Sequence, residues 1–201
     1  DYLKPALRMG ALMGLRYLLT CSHDSILSGE DGPTHQPIEQ LPSLRLVPNL
    51  TVARPYNYTE ILASYVWLLQ KQRPLVMCVS KDKPLIVQTE LEKALCGGYI
   101  LQNSRKADMT IVATGSDVGL ALKVVEQLKE QNLHARVVSM PCIEIFEQQK
   151  SAYKKAVLKD LPIVFLESSA ENCWYKMAKC GDLVLGLSSF GTSAKPKDVA
   201  R

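Results

Sequence analysis

The sequence predicts an α/β protein built as two successive units, each a mostly parallel sheet with helices on both faces. Two observations favour this fold class. Short apolar runs alternate along the chain with segments whose apolar residues recur at helical spacing. The first of these runs leads into a polar, turn-rich loop, which is typical of the carboxyl edge of a parallel sheet. With 201 residues and 47% hydrophobic side chains, the chain is long enough to bury a sizeable core.

The first unit is predicted to contain three strands and two amphipathic helices. The second of these helices carries its apolar residues on one stripe: Ile61, Leu62, Tyr65, Val66 and Leu69. In chain order we expect a helix over Tyr2–Leu15, a strand over Tyr17–Cys21, a strand over Leu50–Ala53, a helix over Tyr58–Gln70 and a strand over Pro74–Val79.

The second unit follows a mixed segment, residues 83–106, which we interpret as a bridge between domains. Within it, Gly97-Gly98-Tyr99 is expected to be a turn into a short extended piece. We place the domains at 1–104 and 105–201. The turn Thr114–Asp117 predicts a capped helix start, and it lacks the glycine pattern of a nucleotide-binding loop. Strands are expected over Met109–Ala113, His134–Ser139, Ile163–Leu166 and Leu183–Leu187.

Composition argues against several classes of function. The net charge is only +4, and the basic residues are scattered without interleaved aromatics, so nucleic acid is not an expected partner. No apolar run approaches the roughly 20 residues of a membrane span, so no membrane partner is expected. The six cysteines have neither Cys-x-x-Cys nor zinc-ligand spacing. We therefore expect no metal ligands in this chain and a reducing, cytoplasmic location.

The loop Ser22–Pro37 concentrates groups that exchange protons. It contains two of the three histidines and three carboxylates: His23, His35, Asp24, Glu30 and Asp31. A turn at Gly32-Pro33 separates the histidines, so both imidazoles can face one cleft and share protons with a hydroxylated or carbonyl substrate. The alternative is that both histidines are structural. Their spacing alone leaves the two interpretations open.

Sequence motifs across nearly the whole chain resemble those of the transketolase family. The run Ser22-His23-Asp24-Ser25-Ile26 and the run Gly-Glu-Asp-Gly-Pro-Thr-His-Gln-Pro at residues 29–37 are similar to the hallmark of its pyrimidine-binding domain. Further landmarks follow in order: Ser43-Leu44-Arg45, Pro48-Asn49, Arg54-Pro55, Gly97-Gly98-Tyr99, residues 113–116, residues 136–141, Trp174-Tyr175 and residues 190–194. The resemblance implies an incomplete pyrimidine-binding domain followed by a Rossmann-like transketolase C-terminal domain.

The resemblance also implies roles for individual residues. His23 and His35 correspond to catalytic histidines that hydrogen-bond the sugar oxygens and assist proton transfer. Asp31 corresponds to a carboxylate that recognises a hydroxyl of the donor or acceptor sugar. Lys81 stands where the family usually has an arginine for the sugar phosphate; lysine keeps the charge but loses the bidentate geometry. Tyr2 corresponds to an aromatic residue near the thiamine ring.

The same resemblance implies thiamine diphosphate and Mg²⁺ as cofactors of the parent enzyme, sugar phosphates as substrates and a homodimer as the assembly. The reaction expected is transfer of a two-carbon ketol unit between a ketose phosphate and an aldose phosphate, in the pentose phosphate pathway. The family's diphosphate and metal ligands and its catalytic glutamate have no counterpart in this sequence. We therefore expect a piece of a longer protein that is inactive alone.

Three other interpretations remain open at this stage. The first is a non-catalytic assembly module, and the second is one subunit of a split transketolase. The third is part of a related thiamine enzyme that makes a deoxysugar phosphate. The intact Gly-Glu-Asp-Gly-Pro-Thr-His-Gln-Pro run favours transketolase over the last of these.

Overall fold

The computed structural model describes residues 1–80, 87–170 and 173–199, without the side chains of residues 27, 28, 196 and 197. Two sheets organise the described chain. The helices are α1 (Lys4–Leu12), α2 (Gln40–Arg45), α3 (Tyr58–Gln70), α4 (Leu91–Ala94), α5 (Asp117–Glu130), α6 (Ile143–Glu147), α7 (Ser151–Leu158) and α8 (Pro196–Val199). The strands are β1 (Leu18–Cys21), β2 (Thr51–Ala53), β3 (Leu75–Cys78), β4 (Tyr99–Gln102), β5 (Met109–Ala113), β6 (Ala135–Ser139), β7 (Ile163–Leu166) and β8 (Leu183–Leu185).

The first sheet has the order β1-β3-β2, and its three strands are parallel. Side chains alternate across the central strand because successive strand residues point to opposite faces. Leu75 and Met77 pack with Trp67 and Ala94 of α3 and α4. Val76 and Cys78 pack on the other face, in a cluster that includes residues of α1 and α2. The first unit is therefore a three-layer α/β structure, as predicted.

Helix α3 buries a different face from the one that its sequence pattern indicates. Its buried residues are Glu60, Ala63, Ser64 and Trp67. On the predicted apolar stripe, Leu62 and Leu69 are instead 50% and 67% exposed. Of the predicted stripe, Ile61 packs against the core, but the stripe as a whole does not face it, because Ala63, Ser64 and Trp67 occupy the buried face. The helix therefore leaves an apolar face uncovered in this chain.

The second sheet has the order β4-β6-β5-β7-β8. Strand β4 pairs antiparallel with β6, and the other pairs are parallel. One face packs against α5, and Val112, Phe165 and Trp174 pack on the opposite face with residues of α6 and α7. This arrangement confirms the predicted α/β class for the second unit.

Strand β4 lies within the segment that the sequence analysis treats as a bridge. Because Tyr99–Gln102 pairs with β6, this part of the segment is structurally a strand of the second sheet. The division of the chain at residue 104 stays a prediction.

The two units share apolar and polar contacts. Tyr99, Cys142 and Ile145 of the second unit belong to the same buried cluster as Leu75 and Trp67 of the first.

Within the three described ranges, no helix combines the length and the apolar character that a membrane span requires.

Candidate functional site

The loop that follows β1 folds back so that a histidine and a carboxylate meet. Residues 26–31 form tight helical turns interrupted at Gly29, whose φ of 64° suits a glycine because it lacks a Cβ. The loop is anchored by Gln36, whose Nε2 donates to the carbonyls of Gly29 at 3.1 Å and Thr192 at 3.0 Å. His23 Nε2 then lies 3.1 Å from Asp31 Oδ2.

The two loop histidines lie side by side. Their ring centroids are 5.8 Å apart and the ring planes are tilted by 58°. A hydrogen bond joins His23 Nδ1 to Ser22 Oγ at 3.0 Å, and another joins His35 Nδ1 to Thr34 Oγ1 at 2.9 Å. Each ring is thus held through Nδ1 by the hydroxyl of the residue before it. The structure brings His23, His35 and Asp31 together, as the sequence spacing allowed.

Both histidines line a cleft at the carboxyl ends of β1 and β3. The cleft has a volume of about 230 Å³, and its lining is mixed polar and apolar. It is lined by Asp1, Cys21, His23, Pro33, Thr34, His35, Gln36, Pro37, Gln40, Leu41, Leu44 and Cys78. Imidazole, hydroxyl, amide and carboxylate groups here can both donate and accept hydrogen bonds. Such a surface suits a polyhydroxylated or carbonyl compound.

The remaining predicted site residues are less informative. The side chain of Tyr2 is fully exposed, although its neighbour Asp1 lines the cleft. Lys81 lies outside the described residues. Tyr2 is not among the described residues that line the cleft.

A buried ionic network at the junction of the two units was missed by the sequence analysis. Arg54 is fully buried, and its guanidinium contacts Asp24 Oδ2 at 3.2 Å, Asp117 Oδ2 at 3.1 Å and Glu167 Oε1 at 3.1 Å. Arg45 Nη1 contacts Glu167 Oε2 at 3.0 Å. Burial opposes ionisation of Glu167, but the charges of Arg45 and Arg54 hold the pKa of Glu167 below its usual value. We call these five residues the junction network.

The junction network reaches the candidate site through Asp24, which follows His23 in the chain. Asp24 Oδ2 accepts a hydrogen bond from the backbone N–H of Ser116 at 2.9 Å, just before α5 begins. The predicted helix start is confirmed, but the predicted local cap was wrong: Ser116 takes the N-cap position without a capping side-chain hydrogen bond, and its backbone N–H is bound by the first unit instead. A carboxylate therefore takes the position at which an anion would otherwise bind.

Local sequence signals could have found the individual residues of the junction network, but not which of them contact one another. Asp117 begins α5 after β5, Glu167 follows β7, and Arg54 follows β2. A charged residue directly after an apolar strand indicates a polar strand end. Which strand ends meet depends on how the two sheets pack, and this is absent from the local pattern.

The donor set of the cleft determines which groups it can hold. Its described lining contains no lysine or arginine, and the described part of the chain has no group of three or more histidine, cysteine or acidic residues arranged to hold a metal. These residues therefore do not fit a diphosphate with its divalent metal. They fit sugar-like hydroxyl and carbonyl groups.

Two family models together match most of the chain. Residues 1–84 match the transketolase pyrimidine binding domain, and residues 97–201 match the transketolase-like C-terminal domain. The chain belongs to the transketolase family. Among curated relatives, the transketolase of Kluyveromyces lactis is 42% identical over 198 residues, which cover 97% of this chain and 29% of that protein.

Solved transketolases have the same fold as this chain. A Pichia stipitis transketolase in complex with sedoheptulose-7-phosphate has a TM-score of 0.91 and 38% identity, covering 98% of this chain and 29% of that one. A split gene transketolase, solved as an inactive beta4 tetramer, has a TM-score of 0.71. At 16% identity, with 98% of this chain and 75% of that chain covered, this likeness shows the fold alone.

The length of the match limits what the family membership shows. The chain spans about 30% of the length of the transketolases that it matches, with shares from 28% to 31%. Membership of this transferase family implies thiamine diphosphate as the family's cofactor.

Proposed function

We propose that this chain supplies the sugar-binding side of a transketolase site, in which a two-carbon ketol unit passes from a ketose phosphate to an aldose phosphate. One observation carries the proposal: the His23–Asp31 contact at 3.1 Å, with His35 beside it, in a cleft at a sheet edge. Family membership and a relative solved with sedoheptulose-7-phosphate support the choice of substrate class.

Each loop residue has a distinct part in this proposal. Asp31 holds the His23 ring through Nε2 and accepts a hydrogen bond from a sugar hydroxyl. His35 is held at Nδ1 by Thr34, so its Nε2 is the nitrogen that contacts a sugar oxygen and moves a proton there. His23 assists as a donor or acceptor. An imidazole suits both tasks because its two protonation states are close in free energy near neutral pH.

Further parts of the proposal rest on the family alone. Lys81 binds the sugar phosphate as a point charge, and Tyr2 contacts the thiamine ring. Mg²⁺ accompanies thiamine diphosphate, and residues outside the cleft described above hold both. The domains divide at residue 104, and the reaction takes place in the cytoplasm as part of the pentose phosphate pathway.

The three histidines of the chain allow a direct test of sugar binding. We expect titration with fructose 6-phosphate to shift the imidazole NMR resonances of His23 and His35. His134, which precedes β6 in the second unit, serves as the internal control and should not move. Unchanged His23 and His35 resonances at saturating sugar phosphate would contradict the proposal.

Substitutions separate the roles of these residues. Asp31→Asn removes the charged partner of His23, and His35→Gln removes the imidazole, so we expect each to weaken sugar phosphate binding about tenfold, the equivalent of about 1.4 kcal/mol. His134→Gln is the matched control and should bind normally. Equal affinities in all three variants would indicate that the two loop histidines are structural.

Catalysis by the isolated chain is a separate question. We expect no ketol transfer by the purified chain with thiamine diphosphate and Mg²⁺, because the described cleft does not fit the diphosphate and its metal. Detection of the transferred product, abolished by His35→Gln, would overturn this expectation.

A second candidate function is that of one subunit of a split transketolase. The lining of the described cleft favours it, because a partner chain would supply the ligands for the diphosphate and its metal that this lining does not provide. Co-purification of this chain with a second polypeptide, followed by gain of ketol transfer in the complex, would distinguish a split subunit from a non-catalytic assembly module.

The uncovered face of α3 supports a second copy of the chain as a partner. Its apolar residues recur at i, i+4, i+7 and i+11: Tyr58, Leu62, Tyr65 and Leu69, with exposures of 77%, 50%, 45% and 67%. Burial of such a stripe stabilises association. We expect sedimentation velocity to show a dimer that Leu69→Lys dissociates and that Leu120→Lys, at an exposed position of α5, leaves intact.

A further inference from the structure

Two thiols face each other in the wall of the candidate site. Cys21 is the last residue of β1 and Cys78 the last residue of β3, and the two are direct partners in the parallel register. Both line the cleft that His23 and His35 line, and both are free thiols. Their side chains lie on the same face of the sheet, in contact with one apolar cluster.

The register places this pair within the range of a disulfide. Neighbouring strands lie about 4.8 Å apart. A disulfide accepts Cα separations of about 4.4–6.8 Å, and direct register partners on neighbouring strands fall within this range. The strand register therefore singles out Cys21 and Cys78, which are direct partners in the ladder.

The two thiols differ in exposure and in acidity. Cys21 is half-buried and opens to the cleft, whereas Cys78 is 4% exposed. A hydrogen bond with the Cys78 side chain lowers the pKa of Cys21 to about 7, and the same contact, with burial, raises the pKa of Cys78. Since the thiolate is the reactive form, Cys21 is the nucleophile and Cys78 the resolving thiol.

We propose that Cys21 and Cys78 form a peroxide-sensitive modification site, whose oxidation to a disulfide alters the cleft. The geometry of the strand register and the shared cleft carry this proposal. Its consequence for sugar phosphate binding rests on the proposed function.

The chemistry balances in two steps. The Cys21 thiolate attacks one oxygen of hydrogen peroxide, the O–O bond breaks, and the departing hydroxide takes a proton to leave as water, which converts Cys21 to a sulfenic acid. Cys78 then loses its proton and attacks the Cys21 sulfur, forming the S–S bond and displacing a second water. Two thiols are oxidised and one peroxide is reduced. A dithiol such as dithiothreitol reverses the reaction.

The position of the pair indicates how oxidation affects the site. His23 lies two residues after Cys21, and the cleft surface contributed by two polar, ionisable thiols becomes a fixed disulfide. We expect the His23 and His35 environments to change on oxidation while that of His134 stays constant.

Peptide mapping tests the modification site without reference to activity. The reduced 201-residue chain is treated with hydrogen peroxide, the remaining thiols are alkylated, and the digest is examined by mass spectrometry. We expect a cross-linked Cys21–Cys78 peptide that dithiothreitol removes. The cross-link should persist in Cys180→Ser, the exposed control, and be lost in Cys21→Ser. In Cys78→Ser, dimedone should instead trap the Cys21 sulfenic acid.

The outcomes separate this proposal from the proposed function. Oxidation of Cys180 without a Cys21–Cys78 cross-link would overturn the modification site, as would a cross-link that leaves the His23 and His35 resonances unchanged. If the cross-link and the resonance shifts are observed, we expect the oxidised chain to bind fructose 6-phosphate at least tenfold more weakly than the reduced chain. Failure of the reduced chain to bind the sugar contradicts the proposed function alone, because the cross-link and the resonance shifts are measured without sugar.

Discussion

At the scale of single residues, the buried charge of Arg54 is the one whose removal we expect to affect stability most. One guanidinium contacts three carboxylates, Asp24, Asp117 and Glu167, which come from both units of the chain. A buried ion group of this kind contributes little net stability as a whole. Removal of one partner is costly because the others keep their charges without compensation.

We therefore expect Arg54→Met to lower the free energy of unfolding by about 3–5 kcal/mol, measured by urea titration. Arg105→Met, at an exposed position, is the matched control and should stay within about 0.5 kcal/mol of the original chain. A loss below about 1 kcal/mol for Arg54→Met would indicate that the carboxylates are accommodated without it.

Glu60 is a second buried charge, and it joins three elements. Its carboxylate accepts hydrogen bonds from the Tyr99 hydroxyl, the Ser139 hydroxyl and the Tyr56 backbone N–H, each at 2.6 Å. Burial raises the pKa of Glu60 despite these hydrogen bonds, and burial together with the Glu60 charge raises the pKa of Tyr99. Glu60 thus titrates at higher pH in the folded chain than in the unfolded chain.

The sign of the pH dependence follows from this raised pKa. Between the unfolded pKa and the folded pKa, the folded state binds more protons, so the Glu60 contribution to stability falls as pH rises through that window. We expect Glu60→Gln to remove this part of the slope in unfolding free energy measured from acidic to neutral pH. Glu92→Gln, exposed on α4, should leave the slope unchanged. A steeper fall of the unfolding free energy with pH in Glu60→Gln would contradict the attribution of this slope to Glu60.

At the scale of elements, the entry into β4 depends on Gly97. Its φ is +79°, and an added Cβ would lie 2.6 Å from the Cys142 carbonyl oxygen and 2.6 Å from the Phe146 amide nitrogen. Both neighbours are backbone atoms, which cannot rotate away. The turn therefore requires glycine for its conformation and for the close approach of α6.

We expect Gly97→Ala to destabilise the chain by about 2–4 kcal/mol, combining left-handed strain of about 1–2 kcal/mol with the backbone clash. Gly14→Ala is the control, because Gly14 has a φ of +65° with open space around its Cβ position, so it should show the strain alone. Equal losses in the two variants, measured by thermal and urea unfolding, would indicate that α6 moves away without cost.

At the scale of the whole molecule, the contacts between the two units predict joint unfolding. The units share one apolar cluster, the junction network and the hydrogen bond from the Ser116 backbone N–H to Asp24. A structural change in one unit then removes buried partners from the other. The two tryptophans report from different units, because Trp67 lies on α3 of the first unit and Trp174 packs against the second sheet.

We expect the single-tryptophan variants Trp67→Phe and Trp174→Phe to show fluorescence transitions in urea that each coincide with the circular dichroism transition of the same variant. Coincidence indicates one cooperative unit. Arg54→Met introduced into each background should separate the transitions reported by the two tryptophans. Separate transitions without that substitution would show that the units unfold independently.

The sequence by itself determined the properties that depend on local pattern. Apolar periodicity predicted the α/β class and the strands from β1 to β8, with β4 expected only as a short extended piece. The composition of the loop after β1 pointed to His23, His35 and Asp31 before their contact was known. Motif order also pointed to the family. These features are readable because strand and helix periods repeat within a few residues.

Only the tertiary structure decided which residues become partners. The register of β1 and β3 makes Cys21 and Cys78 neighbours although 57 positions separate their residue numbers. Sheet packing determined the partners of Arg54 and buried the face of α3 that carries Glu60 and Trp67. The physical reason is that burial and pairing across elements depend on long-range packing, which the spacing of residues along one segment does not encode.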